Sequence, residues 1–234
     1  MTPLLELRGV TRVHGRGARE VVALREVDLV VEAGEFVAVM GPSGSGKSTL
    51  LHLAGGLALP DAGEVRINGR SLADLSAAER ALLRRDQLGY VFQELNLLPG
   101  LTALENVALP LELAGHRPRS ARTAAHAALV EVGIDDLAPR LPAELSGGQS
   151  QRVAIARALI GKRRLLLADE PTGALDSTTG RDIIALLRAR ADAGSAVVLV
   201  THEPRFAAWA DRTVQLRDGG IVGVAAPEVA PWSA

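Results

Sequence analysis

The segment from Gly41 to Ser48 carries the strongest chemical signal in the chain. It reads Gly-Pro-Ser-Gly-Ser-Gly-Lys-Ser and matches the pattern G-x-x-x-x-G-K-[ST] at every fixed position. Glycines let a backbone wrap closely around phosphate groups, with successive N–H groups pointing at the anion. The Lys47 ammonium would neutralise the β- and γ-phosphates, and the Ser48 hydroxyl is a Mg²⁺ ligand. The alternative is an ordinary strand-to-helix turn. The predicted phosphate site comprises Gly41, Pro42, Ser43, Gly44, Ser45, Gly46, Lys47, Ser48 and Thr49.

Two adjacent carboxylates supply the partner that such a loop needs. Asp169 and Glu170 follow the apolar run Leu-Leu-Leu-Ala. Asp169 would hold the Mg²⁺ shell, usually through water, and Glu170 would orient and polarise the attacking water. By itself an Asp-Glu pair at a strand end is more often a solvated turn. Beside a phosphate loop, the pair predicts a catalytic role.

A second anion site is indicated at Ser146 to Gln149, at the start of a helical pattern. Ser-x-x-Gln is a capping box, which by itself would explain Ser146 and Gln149. It does not explain Gly147 and Gly148, because glycine weakens a first helical turn. A phosphate approaching the backbone N–H groups closely would explain them. Two phosphate-binding helix starts in one chain suggest that two chains share each nucleotide.

The elements that position these residues alternate between strands and helices. Short continuous apolar runs at 36–40, 165–168 and 196–200 predict strands buried on both faces. Helical patterns follow at 48–57, 76–85 and 183–191. The segment 97–161 is also helical in pattern, with breaks at 99–100, 115–118, 133 and 139–142. The first 35 residues read as strands with turns, and Asn68-Gly69 predicts a hairpin. The fold class is therefore α/β, with a mostly parallel sheet and helices on both faces.

Composition excludes several classes of protein. The chain has 234 residues, 26 basic and 27 acidic side chains and a net charge of −1, which argues against nucleic-acid binding through a broad basic surface. Cysteine is absent, which excludes disulfides and thiol catalysis. Neither a signal peptide nor an apolar run of about 18 residues is visible, so we expect a soluble cytoplasmic chain. A membrane role would need a partner chain.

The motifs from Gly41 to His202 resemble those of ATP-binding-cassette (ABC) ATPase subunits, in the family's order. Leu145 to Gln149 matches the LSGGQ signature completely. The resemblance implies a P-loop NTPase with a RecA-like core (about 1–92 and 162–224), an N-terminal antiparallel β subdomain, an inserted helical signature subdomain (about 93–161) and a loose tail at 225–234. ATP and Mg²⁺ are the implied cofactors.

The resemblance also assigns roles outside the phosphate loop. Ser146 and Gly148 would contact the γ-phosphate held by a partner's loop. Gln93 falls at the glutamine that touches Mg²⁺ and the attacking water, and Asp176 at the loop that crosses the dimer interface. His202 matches the switch histidine, which would hydrogen-bond the γ-phosphate. Without the resemblance, Gln93 would be a surface residue, Asp176 a helix cap and His202 a loop residue.

His14 departs from the family pattern. An aromatic residue, usually tyrosine, normally stacks on adenine near the end of the first strand, and here His14 occupies that place. An imidazole can stack, but with less area. A solvated turn histidine is the alternative.

The compact length, the segment 97–115 and the run Ala168 to Asp176 resemble one branch, which holds the ATPases of macrolide-export, lipoprotein-release and cell-division systems. This branch implies a homodimer or pseudo-dimer of ATPase subunits on the cytoplasmic face of the membrane, bound to an FtsX-like permease. The apolar run from Leu95 to Leu98 predicts a groove for a cytoplasmic helix of that permease, or else a loop facing the core. Two other functions are a soluble ABC ATPase and a P-loop small-molecule kinase, which the LSGGQ motif disfavours.

Overall fold

A six-stranded sheet forms the centre of the molecule. The computed structural model describes residues 2–15, 17 and 20–226. The strand order is β10-β9-β3-β8-β7-β6, and all neighbours are parallel except β10 and β9. The strands are β3 (Phe36–Met40), β6 (Leu88–Val91), β7 (Leu165–Asp169), β8 (Ala196–Val200), β9 (Arg212–Arg217) and β10 (Gly220–Ala225). The mostly parallel α/β class predicted from sequence is confirmed.

The two faces of this sheet pack into two separate cores. Residues of β3, β7 and β8 alternate between them: Phe36, Leu166 and Val197 lie in one, and Val37, Leu167 and Val198 in the other. Because both faces are covered, β7 and β8 are buried at every position. This two-sided burial is why these strands read as continuous apolar runs.

A four-stranded antiparallel sheet, in the order β2-β1-β4-β5, covers one face together with helix α1 (Lys47–Ala54). Its strands are β1 (Leu5–His14), β2 (Val21–Val31), β4 (Ala62–Ile67) and β5 (Arg70–Ser71). Val27, Leu29 and Val31 point inward while Asp28 and Val30 are exposed, as the alternation predicted. Asn68 and Gly69 form the hairpin between β4 and β5, both with positive φ.

The opposite face packs against helices that come largely from residues 103–159. These are α3 (Ala103–Leu113), α4 (Pro118–Glu131) and α5 (Gly147–Leu159). Helix α2 (Ala77–Gln87) precedes β6, and α6 (Ser177–Asp192) and the short α7 (Pro204–Ala207) complete the fold. Capping boxes start α2, α3 and α5.

Two element boundaries differ from the sequence expectation. Helix α6 begins at Ser177, six residues before the expected start at Ile183, because the Asp176 carboxylate caps it. At the C-terminus β10 runs to Ala225, and the predicted loose tail lies, from residue 227 onward, outside the described residues.

The parallel topology gathers the predicted site. The phosphate loop follows β3, His202 follows β8, Asp169 and Glu170 end β7, and Gln93 follows β6. These four strands are consecutive neighbours, so their carboxyl ends meet at one edge of the sheet. Among the described residues, no helix combines the length and apolarity needed to cross a bilayer.

Candidate functional site

The phosphate loop is built so tightly that two of its glycines have no room for a side chain. A Cβ at Gly41 would lie 2.1 Å from the Leu216 carbonyl oxygen, and one at Gly46 would lie 2.3 Å from that of Ala23. Gly46 also has a φ of 104°, which favours glycine, and it immediately precedes α1. These contacts fix a loop whose backbone leads directly into the positive end of α1.

The Lys47 side chain is held by hydrogen bonds to the backbone of the phosphate loop. Its ammonium Nζ donates to the carbonyl oxygens of Gly41 (2.8 Å) and Pro42 (2.9 Å). No carboxylate within the described part of the chain lies in ion-pair distance of it. The ammonium is therefore held against the backbone of the phosphate loop, and its charge also acts on the Asp169 carboxylate.

Asp169 lies at the end of β7, beside the phosphate loop. It is almost fully buried, and burial raises the pKa of its carboxyl group, while a hydrogen bond from Ser48 and the charges of His52 and Lys47 oppose that shift. An Asp carboxylate next to a Ser hydroxyl is a donor set that suits Mg²⁺. No group of three or more His, Cys, Asp or Glu side chains in the described ranges could hold a metal. A Mg²⁺ ion at Asp169 and Ser48 would take its remaining ligands from phosphate, water and the predicted ligand Gln93.

Glu170 and His202 are in direct contact. His202 Nδ1 lies 2.9 Å from Glu170 Oε2, and the Glu170 side chain is 18% exposed against 70% for His202. This hydrogen bond, together with the charge of Glu170, raises the pKa of His202. Glu170 has a φ of 48°, a left-handed conformation that is unusual outside glycine. The two residues predicted to act on water and γ-phosphate are thus brought together.

The signature segment lies apart from the phosphate loop of its own chain. The cavity beside that loop, about 280 Å³ in volume, is lined by residues of β1, β2 and 44–49 and by none of residues 146–149. Ser146 caps α5, with its Oγ accepting from Gln149 N at 3.2 Å, and Gln149 Oε1 accepts from Ser146 N at 2.8 Å. The capping box is therefore present. A Cβ at Gly148 would come within 3.0 Å of the Ala174 carbonyl oxygen, which gives that glycine a packing role as well.

The structure places three further predicted residues. Gln93 is exposed just beyond β6. Asp176 acts as the cap of α6, its Oδ1 accepting from the N–H groups of Thr178 and Thr179 at 3.0 Å. His14 lines the cavity beside the phosphate loop, with Nε2 3.2 Å from Thr49 Oγ1. The structure thus brings His14 to the nucleotide side of the molecule.

Gln151 is a residue of this site that was not predicted. It lies on α5, is 4% exposed, and contacts the backbone of the segment that follows β7. A signal was present in the sequence: Gln151 occupies the same helical face as Ile155 and Leu159, so a polar residue interrupts an apolar stripe.

A second cavity, of about 330 Å³, opens between α2, β6 and α3. Its apolar lining includes Leu57, Tyr90, Phe92 and Leu113, and of the run Leu95 to Leu98 only Asn96 contributes. Leu97 is half-buried and packs against the larger core, so the core-facing alternative holds for it. The run predicted to form a permease groove therefore does not form the walls of this cavity.

Comparison with known proteins agrees with this geometry. The profile of the family described as ABC transporter matches residues 24–173. The chain belongs to the ABC transporter family. It is 48% identical over 220 residues to the macrolide export ATP-binding/permease protein MacB of Marinobacter nauticus, and 48% identical over 221 residues to that of Burkholderia pseudomallei. Each match covers 94% of this chain and 34% of the relative, so the chain spans about a third of the length of these relatives.

Solved ABC cassettes share the fold closely. A dimeric structure of the ATP-binding cassette MJ0796 in a post-hydrolysis state, bound to ADP and phosphate, is 42% identical with a TM-score of 0.92, covering 96% of this chain and 99% of that one. A second dimeric MJ0796 structure, of a bacterial ABC transporter cassette, is 43% identical with a TM-score of 0.91 and the same coverage. The P-loop NTPase fold expected from the sequence is thereby confirmed.

Proposed function

We propose that this chain is the ATP-hydrolysing motor unit of an ABC transporter or mechanotransmission complex, which works as a pair of cassettes around two ATP molecules. The observation that carries the proposal is the convergence of four strand ends on one edge. It places Lys47, Asp169, Glu170 and His202 together. The MJ0796 cassette, similar over 96% of this chain, supports hydrolysis, because its structure holds ADP and phosphate.

Each residue has a defined task in the proposed reaction. The phosphate loop and Lys47 bind the β- and γ-phosphates and neutralise developing charge. Glu170 takes the proton of the attacking water, whose oxygen bonds to the γ-phosphorus as the bond to the β,γ-bridging oxygen breaks. The products are ADP and inorganic phosphate. Ser48, Asp169 and Gln93 would hold Mg²⁺, which would supply charge neutralisation for the phosphates.

His202 has two alternative partners in this scheme. Its imidazole Nδ1 lies 2.9 Å from Glu170 Oε2. A γ-phosphate would compete for the same imidazole, and its capture of His202 would release the carboxylate to bind water. Gln93, which follows the neighbouring strand β6, would also contact this water. ATP binding thereby prepares the base.

Each nucleotide site is proposed to be shared between two chains, because Ser146, Gly147 and Gly148 do not line the cavity beside their own phosphate loop. Asp176, close to that signature helix through Ala174, would reach the same interface. Mixing Lys47→Ala chains with Ser146→Arg chains tests this sharing. A heterodimer contains one doubly defective and one intact site, so hydrolysis should recover partly on mixing. Full activity of a strictly monomeric Ser146→Arg chain would refute the sharing.

The partner proposed for the pair is an FtsX-like permease, which would hold this chain at the cytoplasmic face of the membrane. The names of the MacB relatives combine ATP-binding and permease functions. The apolar cavity between α2, β6 and α3 is the surface proposed to receive a cytoplasmic helix of the permease.

Leu113 allows a clean test of the permease surface, because it lines this cavity and its side chain is 63% exposed. Leu113→Glu should abolish copurification with the permease while ATP hydrolysis by the isolated chain persists. Leu141→Glu, at an exposed leucine outside the cavity, is the matched control. Retained copurification in Leu113→Glu would contradict the assignment of this surface, and hydrolysis without any membrane partner in a native extract would favour a soluble ABC ATPase.

A further inference from the structure

A buried amide joins the signature helix to the backbone of Glu170 and Ala174. Gln151, on α5, is 4% exposed. Its Nε2 donates to the Glu170 carbonyl oxygen at 3.3 Å, and its Oε1 accepts from the Ala174 N–H at 3.3 Å. A single side chain thus spans both ends of the turn that follows β7.

This turn needs support, because Glu170 is held in a left-handed conformation with a φ of 48°. Such a conformation in a residue other than glycine is unfavourable and persists only where its surroundings impose it. The Glu170 N–H donates to the Val200 carbonyl at 3.0 Å, and its own carbonyl accepts from Gly173 N at 3.2 Å in addition to Gln151. Of these partners, only Gln151 comes from another subdomain.

The chemistry of the contact requires an amide. One group must donate to a carbonyl while another group on the same side chain accepts from an N–H. A carboxylate can accept but cannot donate, and a thioether of similar length does neither effectively. Leaving the Glu170 carbonyl or the Ala174 N–H without this partner would weaken the turn that aims the carboxylate.

We propose that Gln151 is a positioning residue that couples the two nucleotide sites of the dimer. Helix α5 begins at the signature residues, which in the proposed function contact the partner's ATP, and Gln151 lies little more than one helical turn further along it. Gly148 packs on the Ala174 carbonyl from the same helix. When the partner's ATP binds at the start of α5, Gln151 therefore transmits any shift of this helix to the turn that orients Glu170 toward the chain's own ATP. This inference rests on the proposed function.

The test compares two replacements of Gln151 with a core control on the same helix. Gln151→Met keeps the length and removes both polar contacts, whereas Gln151→Glu keeps the acceptor for Ala174 N–H and removes the donor for Glu170. Val153→Ala, at a fully buried position of α5, lowers stability without touching the turn. Steady-state hydrolysis against ATP concentration, ATP affinity and the melting temperature are measured for each full chain.

Both Gln151 variants should lose about ten- to hundredfold in kcat, since a misplacement of about 1 Å is enough for such a loss. The Hill coefficient for ATP should fall from about 2 toward about 1, because binding at the two nucleotide sites is no longer coupled. ATP affinity should stay within about twofold. Val153→Ala should lower the melting temperature and retain its Hill coefficient.

Unchanged cooperativity in a folded Gln151→Met or Gln151→Glu chain would overturn the coupling. So would an equal loss of cooperativity in Val153→Ala, which would show that general destabilisation is the cause. If one Gln151 variant does not fold, the other decides by the same criteria. Failure of this coupling would leave the proposed ATP hydrolysis standing, because hydrolysis is tested separately with the Glu170→Gln variant.

Discussion

The affinity for the nucleotide base should depend on His14 in a graded way. His14 lines the cavity beside the phosphate loop together with Val21 and Ala23, and its side chain is exposed. Stacking of a base on an aromatic side chain contributes about 1–3 kcal/mol. The imidazole offers less area than a phenol, so its stacking contribution should be about 1 kcal/mol, which corresponds to about fivefold in Kd.

His14→Ala should therefore weaken ATP binding about fivefold, and His14→Tyr should strengthen it by a similar factor. The hydrogen bond between His14 Nε2 and Thr49 Oγ1 is lost in both variants, so it affects them equally. Because the phosphate and Mg²⁺ contacts do not distinguish adenine from guanine, GTP should compete nearly as well as ATP in the parent chain. Discrimination should increase in His14→Tyr.

Titration of a fluorescent ATP analogue into the three proteins, with GTP as competitor, measures these differences directly. His116→Ala, at an exposed histidine in the connection between α3 and α4, is the control and should bind like the parent. Equal Kd values for the parent, His14→Ala and His14→Tyr would refute the stacking role. A loss of more than about fiftyfold in His14→Ala would refute the ranking of imidazole below phenol.

Three further outcomes are expected. Gly89→Ala should destabilise the chain by about 1–3 kcal/mol, measured by urea unfolding, because its Cβ would lie 2.0 Å from the Ala158 carbonyl oxygen where β6 packs on α5. Gly100→Ala is the control, because the added methyl group would have no atom within 4 Å and Gly100 does not have a left-handed backbone, so this substitution should cost less. In Glu170→Gln the pKa of His202 should fall toward its ordinary value, and NMR titration of the imidazole would measure this change. An unchanged pKa would contradict the contact between His202 and the Glu170 carboxylate. Since that pKa is raised in the folded chain, the contact stabilises the fold fully below the ordinary imidazole pKa, and this contribution disappears as the pH rises through the raised value.

The sequence predicted the sheet well because burial on both faces leaves an unmistakable pattern. The runs at 36–40, 165–168 and 196–200 became β3, β7 and β8, and the carboxyl ends of these parallel strands had to meet. Local pattern was less informative for α6. The Ser-Thr-Thr-Gly segment at 177–180 has weak helix propensity, yet Asp176 caps it and Gly180 lets Phe206 pack against it.

Contacts between distant segments account for what sequence reasoning missed. The pairing of His202 with Glu170 joins two strands that are separated by a whole helix in the chain. The role of Leu97 depended on whether the loop faced the core, which spacing could not decide. Gln151 was visible only as a polar interruption of an apolar face, and its partners became evident only in three dimensions.

The most direct test of the central claim is ATP-dependent dimerisation and hydrolysis by the Glu170→Gln chain. Glu170→Gln leaves the phosphate loop intact and removes the carboxylate that would bind the attacking water, so ATP with Mg²⁺ should convert the variant into a stable dimer of twice the mass. Size-exclusion chromatography with light scattering reports that mass, and phosphate release reports turnover. We expect a dimer with ATP, a monomer with ADP and a loss of turnover of at least about a hundredfold. Hydrolysis by Glu170→Gln at the rate of the parent chain would contradict the proposed mechanism.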